Sequence, residues 1–102
     1  MIALAVLALA ALQAPADPEQ EILVVARQLP SVSVWMSRNS AGKYVCGMNQ
    51  SSGSRRMDDR LCRAAALCLK QRQDTPVLMR ACIDARKPEL LDQFRRSLRS
   101  RA

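Results

Sequence analysis

Four cysteines, Cys46, Cys62, Cys68 and Cys82, spaced C-x15-C-x5-C-x13-C, constrain this chain of 102 residues more than any other feature. A chain of about this length buries only roughly 60% of the surface its unfolded form exposes, so staples weigh heavily in its stability. Structural zinc would bring ligands in pairs separated by about two to four residues. None of the three spacings does that, and there is no histidine. The cysteines therefore read as two disulfides, which requires an oxidising compartment.

The N-terminus agrees with export. Met1 to Leu12 is an uncharged apolar run, shorter than the about 20 residues that span a bilayer and suited to the h-region of a signal peptide. Ala14-Pro15-Ala16 offers small residues at the cleavage positions, although no Lys or Arg precedes the run. The expected division is a signal peptide over 1–16 and one small domain over 17–102. Within that domain 17–20 is read as a flexible lead-in and 99–102 as a frayed tail. The expected location is periplasmic or secreted, with no transmembrane segment.

The hydrophobic pattern predicts an α+β fold: a small antiparallel sheet of two to three strands, then two to three helices, stapled by the disulfides. Glu21 to Leu29 is rich in β-branched residues and closed by Pro30, and it reads as a first strand. Ser31 to Arg38 and Lys43 to Met48 read as a hairpin. A three-residue loop of Ser40, Ala41 and Gly42, with Gly42 in the left-handed position, pairs Asn39 with Lys43. Val34 then faces Met48, Met36 faces Cys46 and Arg38 faces Tyr44, which collects the apolar side chains on one face. A slip of one residue would scatter them. Ser33, Trp35, Ser37, Val45 and Gly47 take the other face. Trp35, the sole tryptophan, is expected in the core beneath strand one or a helix, with a protein-contact anchor as the alternative.

Ser54 is placed to cap a helix in which Met57, Leu61, Ala64, Ala65 and Cys68 share a stripe, with Cys62 at its edge. Gln71 to Asp74 is a short connection. Thr75 caps a second helix, with Pro76 in its first turn. Leu78, Met79, Cys82, Ile83 and Ala85 supply its buried side. Pro88 is expected to stop or kink it, after which Leu90, Leu91, Phe94 and Leu98 resume helical spacing. For helices joined by so short a turn, Cys82 falls level with residue 64. At a rise of about 1.5 Å per residue, Cys62 misses that level by about 3 Å and Cys68 by about 6 Å. The expected pairs are therefore Cys62 with Cys82 and Cys46 with Cys68.

Taken together, the Glu-Ile-Leu-Val-Val-Ala-Arg segment, the Trp-bearing strand, Tyr44-Val-Cys46, Asn49-Gln-Ser-Ser-Gly53 and the remaining cysteines resemble a set of short, uncharacterised four-cysteine exported proteins of Gram-negative bacteria. The resemblance runs from Glu21 to Cys82 and implies export and disulfides, but no chemistry. Glu21 to Arg27 is also similar to the TonB box of outer-membrane receptors, a segment that adds a strand to a partner sheet. The plug and barrel of those receptors have no counterpart here, and an internal strand is the reading kept.

No catalytic residue is expected. Without histidine there is no Ser-His or Cys-His pair. The nine acidic residues form no acid/base or metal motif, and three glycines make no phosphate loop. No cofactor or metal is implied, and the chain is read as no enzyme. Charge is the remaining signal: 16 Lys and Arg against 9 acids give a net +7. Basic residues cluster at Arg55-Arg56, at Arg60, Arg63 and Lys70, and along Arg95, Arg96, Arg99 and Arg101, the last group being the expected polyanion contact. One Trp, one Tyr and one Phe are too few for single-strand stacking platforms, so no specific nucleic acid is expected. The functional expectation is a non-catalytic periplasmic interaction module meeting a protein or an anionic envelope component. The alternative is a secreted cationic effector or inhibitor acting on an envelope component or an enzyme.

Overall fold

The computed structural model describes residues 17–100; the signal-peptide reading and Arg101 lie outside them. The fold is α+β: helix α1 (Pro18–Gln28), a short 3-10 turn (Leu29–Ser31), strands β1 (Val34–Arg38) and β2 (Tyr44–Met48), and helices α2 (Arg55–Lys70) and α3 (Pro76–Arg99).

The expected first strand is helix α1, and the expected lead-in is its cap and first turn. Asp17 accepts a hydrogen bond from the Glu19 N–H at 3.1 Å, Pro18 occupies the first turn, and Glu19 and Glu21 sit at the positive end of the helix dipole. These start signals outweigh the modest strand preference of Ile22, Val24 and Val25. Ile22, Val25 and Leu29 are buried at helical spacing, whereas Leu23 and Val24 are exposed. As a helix, Glu21 to Arg27 does not present the extended backbone that a TonB-like strand addition needs.

The hairpin has the expected register: Val34↔Met48, Met36↔Cys46 and Arg38↔Tyr44. Asn39 N–H donates to the Lys43 carbonyl at 2.8 Å, and the Asn39 carboxamide oxygen accepts from the Ala41 and Lys43 N–H groups. Gly42 has φ +78°, the left-handed conformation that costs glycine least. Val34 is buried, and Met36, Cys46 and Met48 pack against the core from the same face. Below the strands Asn49 acts as a clamp, accepting from Ser33 N–H at 2.8 Å and donating to the Ser31 carbonyl at 3.0 Å.

Helix α2 buries the expected stripe of Met57, Leu61, Ala64, Ala65 and Cys68. Ser54 stands at its N-cap, but its hydroxyl donates to Glu21 Oε1 of α1 at 2.8 Å instead of capping. The loop before the helix is gathered by Asp58, which accepts from Ser51 Oγ, Ser52 N–H and Ser52 Oγ at 2.6–2.8 Å. The helix closes in a Schellman arrangement, with Gln73 N–H to the Cys68 carbonyl and Arg72 N–H to the Leu69 carbonyl. This places Arg72 at φ +62°.

Thr75 caps α3 by accepting from Leu78 N–H at 3.2 Å. The helix runs for 24 residues with Pro88 inside it, so the expected stop does not occur. A proline removes one backbone hydrogen bond. Burial on both sides of it, from Met79 and Ile83 to Phe94 and Leu98, favours continuing the helix. Lys87, one residue before, is buried; its Nζ donates to the Val32 carbonyl at 2.7 Å and lies 2.9 Å from Asp84. Of the side expected to be buried in the first half of α3, Met79 and Ile83 are in the core and Cys82 is half-buried. Leu78 and Ala85 are exposed.

The disulfides pair differently from expectation. Cys46 joins Cys62, with Cα atoms 5.7 Å apart, and ties β2 to α2. Cys68 joins Cys82, with Cα atoms 6.1 Å apart, and ties α2 to α3. The level argument errs by about one helical turn. Five residues, Gln71 to Thr75, separate the two helices, and they do not fix how far α3 slides along α2; Cys82 stands opposite Cys68, not level with residue 64. The stripe-edge position of Cys62 then turns it to the hairpin. All four cysteines are paired.

A candidate anion-binding surface on α2 and α3

The C-terminal arginines do not form the open cationic cluster that the sequence suggests. Arg96 pairs with Asp92 at 3.1 Å, and Arg99 reaches Glu19 of α1 at 3.6 Å. Arg95 is half-buried on the helix flank. Such exposed pairs contribute only about 0–1 kcal/mol each to stability, but they cancel charge locally. Elsewhere Asp84 serves both Lys87 and Arg80. Asp17, Glu21 and Asp58 accept hydrogen bonds from neighbouring backbone or hydroxyl groups. Burial pulls the Asp58 carboxyl up, but the hydrogen bonds from Ser51 and Ser52 outweigh it and hold Asp58 below its ordinary range.

Three of the cations without an ion pair among the described residues gather where α2 and α3 run side by side. Arg60, Arg63 and Arg86 line one cleft of about 240 Å³, whose walls include Leu67 and Leu90. Helical spacing sets this geometry: Arg60 and Arg63 lie three apart on α2, and Arg86, Glu89, Leu90 and Gln93 follow the facing ridge of α3. Arg60 donates to Gln93 Oε1 at 3.4 Å and Arg86 to Gln71 Oε1 at 3.1 Å. Among the described residues none of the three arginines makes an ion pair. Glu89, the one acid at the cleft, accepts from Gln93 Nε2 at 3.4 Å. Neutral amides thus steady two guanidinium groups without neutralising them. Sequence reading grouped Arg60 with Arg63, but Arg86 joined them only once α3 was docked.

Trp35 is not core. It is 45% exposed, and its indole lies over Gly47, where an added Cβ would collide with the ring. The expected cover, a first strand, is α1, so among the described residues the outer face of the two-stranded sheet has no layer above it. Val45, diagonally across the hairpin, is 44% exposed. Trp35 also borders a cleft of about 250 Å³ between β1 and the first half of α3, with Met36, Met79 and Ile83 in its walls. Near the loop end, Arg38 stacks over Tyr44 at 4.8 Å from the ring centroid.

No family model, curated protein or solved structure matches the chain. Two disulfides in a small domain are compatible with an oxidising compartment. Among the described residues no helix is long and apolar enough to cross a membrane.

Proposed function

We propose that this protein is a non-catalytic interaction module, working in the periplasm or outside the cell, that meets an anionic envelope component through the α2–α3 face. One observation carries the reading: among the described residues the three arginines of that cleft have no carboxylate partner, while Arg96 and Arg99 near the C-terminus are paired. Unpaired guanidinium groups are forked donors for phosphate and carboxylate oxygens. The site therefore moves from the C-terminal arginines to Arg60, Arg63 and Arg86.

The test is co-sedimentation of the exported, oxidised protein with vesicles of zwitterionic lipid alone or with an anionic lipid added. Binding is expected only with the anionic lipid, and it weakens steeply as ionic strength rises past about 0.1 M, where the Debye length falls to about 10 Å. Absence of binding at low salt sinks the proposal. Cell fractionation separates a resident of the periplasm from a secreted product.

A second reading, an inhibitor or effector that engages a protein, is favoured by the exposed hairpin: Trp35 and every residue from Ser37 to Val45 are exposed. If it holds, Trp35→Ala abolishes capture of the partner while vesicle binding is unchanged.

A further inference from the structure

The cleft between α2 and α3 has a size, a charge and an apolar neighbour that narrow what it accepts. Its volume of about 240 Å³ lies below the roughly 300–1,000 Å³ of pockets that enclose whole small molecules. It fits a compact head with the rest of the ligand outside. Three arginines and one glutamate line it, which leaves a formal excess of two positive charges. A carboxylate or phosphodiester carries one negative charge, whereas a phosphomonoester carries about −1.5 to −2 at pH 7 and offers three terminal oxygens. Arg60 and Arg86 each give one hydrogen bond to a glutamine oxygen, and among the described residues Arg63 gives none to a side chain. Most of the guanidinium donors remain for those oxygens.

Leu67 supplies the remaining clue. It lines the same cleft and is 47% exposed, an apolar side chain standing among cations. A soluble phosphate would leave Leu67 in water, but a lipid held by its head would lay an acyl chain or the membrane interface against it. We propose that the cleft binds the phosphomonoester headgroup of a membrane lipid, with Arg60, Arg63 and Arg86 on the phosphate and Leu67 against the apolar part. This rests on the anion-binding role proposed above and names its ligand.

The experiment compares zwitterionic vesicles carrying phosphatidic acid, a phosphomonoester, with vesicles carrying phosphatidylglycerol, a phosphodiester, matched in surface potential. The exported, oxidised protein is expected to bind the phosphatidic acid vesicles at least about tenfold more tightly. Replacing Arg60, Arg63 and Arg86 together by Gln should remove that preference, and replacing all three by Lys should lose most of it, because an ammonium keeps the charge without the fork. Replacing Arg95, Arg96 and Arg99 by Gln should change it by less than about threefold.

Leu67→Ser is expected to weaken vesicle binding and leave titration with glycerol 3-phosphate unaltered. Equal binding to both anionic vesicles overturns the headgroup assignment and leaves the basic-surface reading standing. Loss of the preference in the C-terminal variant alone overturns the site. Glycerol 3-phosphate binding as tight as the lipid, with Leu67→Ser silent in both assays, overturns the lipid as source. If neither anionic vesicle is bound at low salt, the underlying reading falls as well.

Discussion

The hairpin end and the helical end of this molecule are held by different means. Both disulfides sit toward the hairpin: one fastens β2 to α2, and the other fastens α2 to the first half of α3. The opposite end has no covalent tie. There α1 packs on α3, with Ile22, Val25, Phe94 and Leu98 buried, and Glu21 and Glu19 reach Ser54 and Arg99. The difference follows the amount of core each end can build. A two-stranded sheet with one bare face buries little and is marginal in water by itself. At the other end α1 and the second half of α3 bury large side chains from both partners and do without a staple.

Reducing both disulfides should produce the largest change. Each closes a loop of 14 to 16 residues, for which the chain-entropy model gives about 3 kcal/mol apiece, against a total stability of about 5–15 kcal/mol for a small domain. Hydrogen exchange of the reduced protein should show the β1 and β2 amides losing protection before those of α1 and the second half of α3. Uniform loss across both ends would break the comparison. Peptide mapping of the oxidised protein should recover Cys46 with Cys62 and Cys68 with Cys82.

The reciprocal perturbation is Phe94→Ala, which empties a fully buried site at the unstapled end. Its expected cost is about 3–5 kcal/mol, read as a lowered urea midpoint. Protection should be lost first in α1, with the hairpin still protected by its disulfides. A hairpin that opens together with α1 would mean that the two ends act as one unit.

Asp58 joins the two regions, because it organises the loop between β2 and α2. Asp58→Asn should cost about 1–3 kcal/mol at neutral pH, chiefly from hydrogen bonds to a charged acceptor. The folded carboxyl titrates below its unfolded value of about 3.9. The stabilisation is thus complete above that pH and lost as pH falls through the lower folded value. Urea titrations of parent and variant should converge in that acidic window. A gap that persists unchanged into strong acid would show that charge is not the cause.

The smallest expected effect is a gain. Arg72 holds φ +62° in the turn between α2 and α3, and an L-residue there costs roughly 1–2 kcal/mol relative to glycine. Part of this is offset because glycine has more freedom to lose on folding. Arg72→Gly should therefore raise stability by about 0.5–1 kcal/mol, seen as a higher urea midpoint with the same slope. A loss would show that the Arg72 side chain contributes more than its backbone costs.

Local rules determined a good part of this protein from its sequence. Period-two alternation from Val32 to Met48, with Gly42 supplying the left-handed turn, admitted one hairpin register. A 3.6-residue period placed Met57, Leu61, Ala64, Ala65 and Cys68 on one side of α2 before any partner was known. The helical nature of Glu21 to Gln28 was also written locally, in Asp17, Pro18 and the acidic first turn, but its β-branched run competed with those signals. Three features needed the tertiary structure. Disulfide pairing depended on how far α3 slides along α2, which the five residues between them leave open. The exposure of Trp35 depended on which element covers the outer face of the sheet, and none of the described elements does. The arginine cleft required side chains from two helices, and a side chain's neighbour on a second helix is fixed by docking, not by its place in the chain. Periodicity fixes the face a residue points from; packing decides what that face meets.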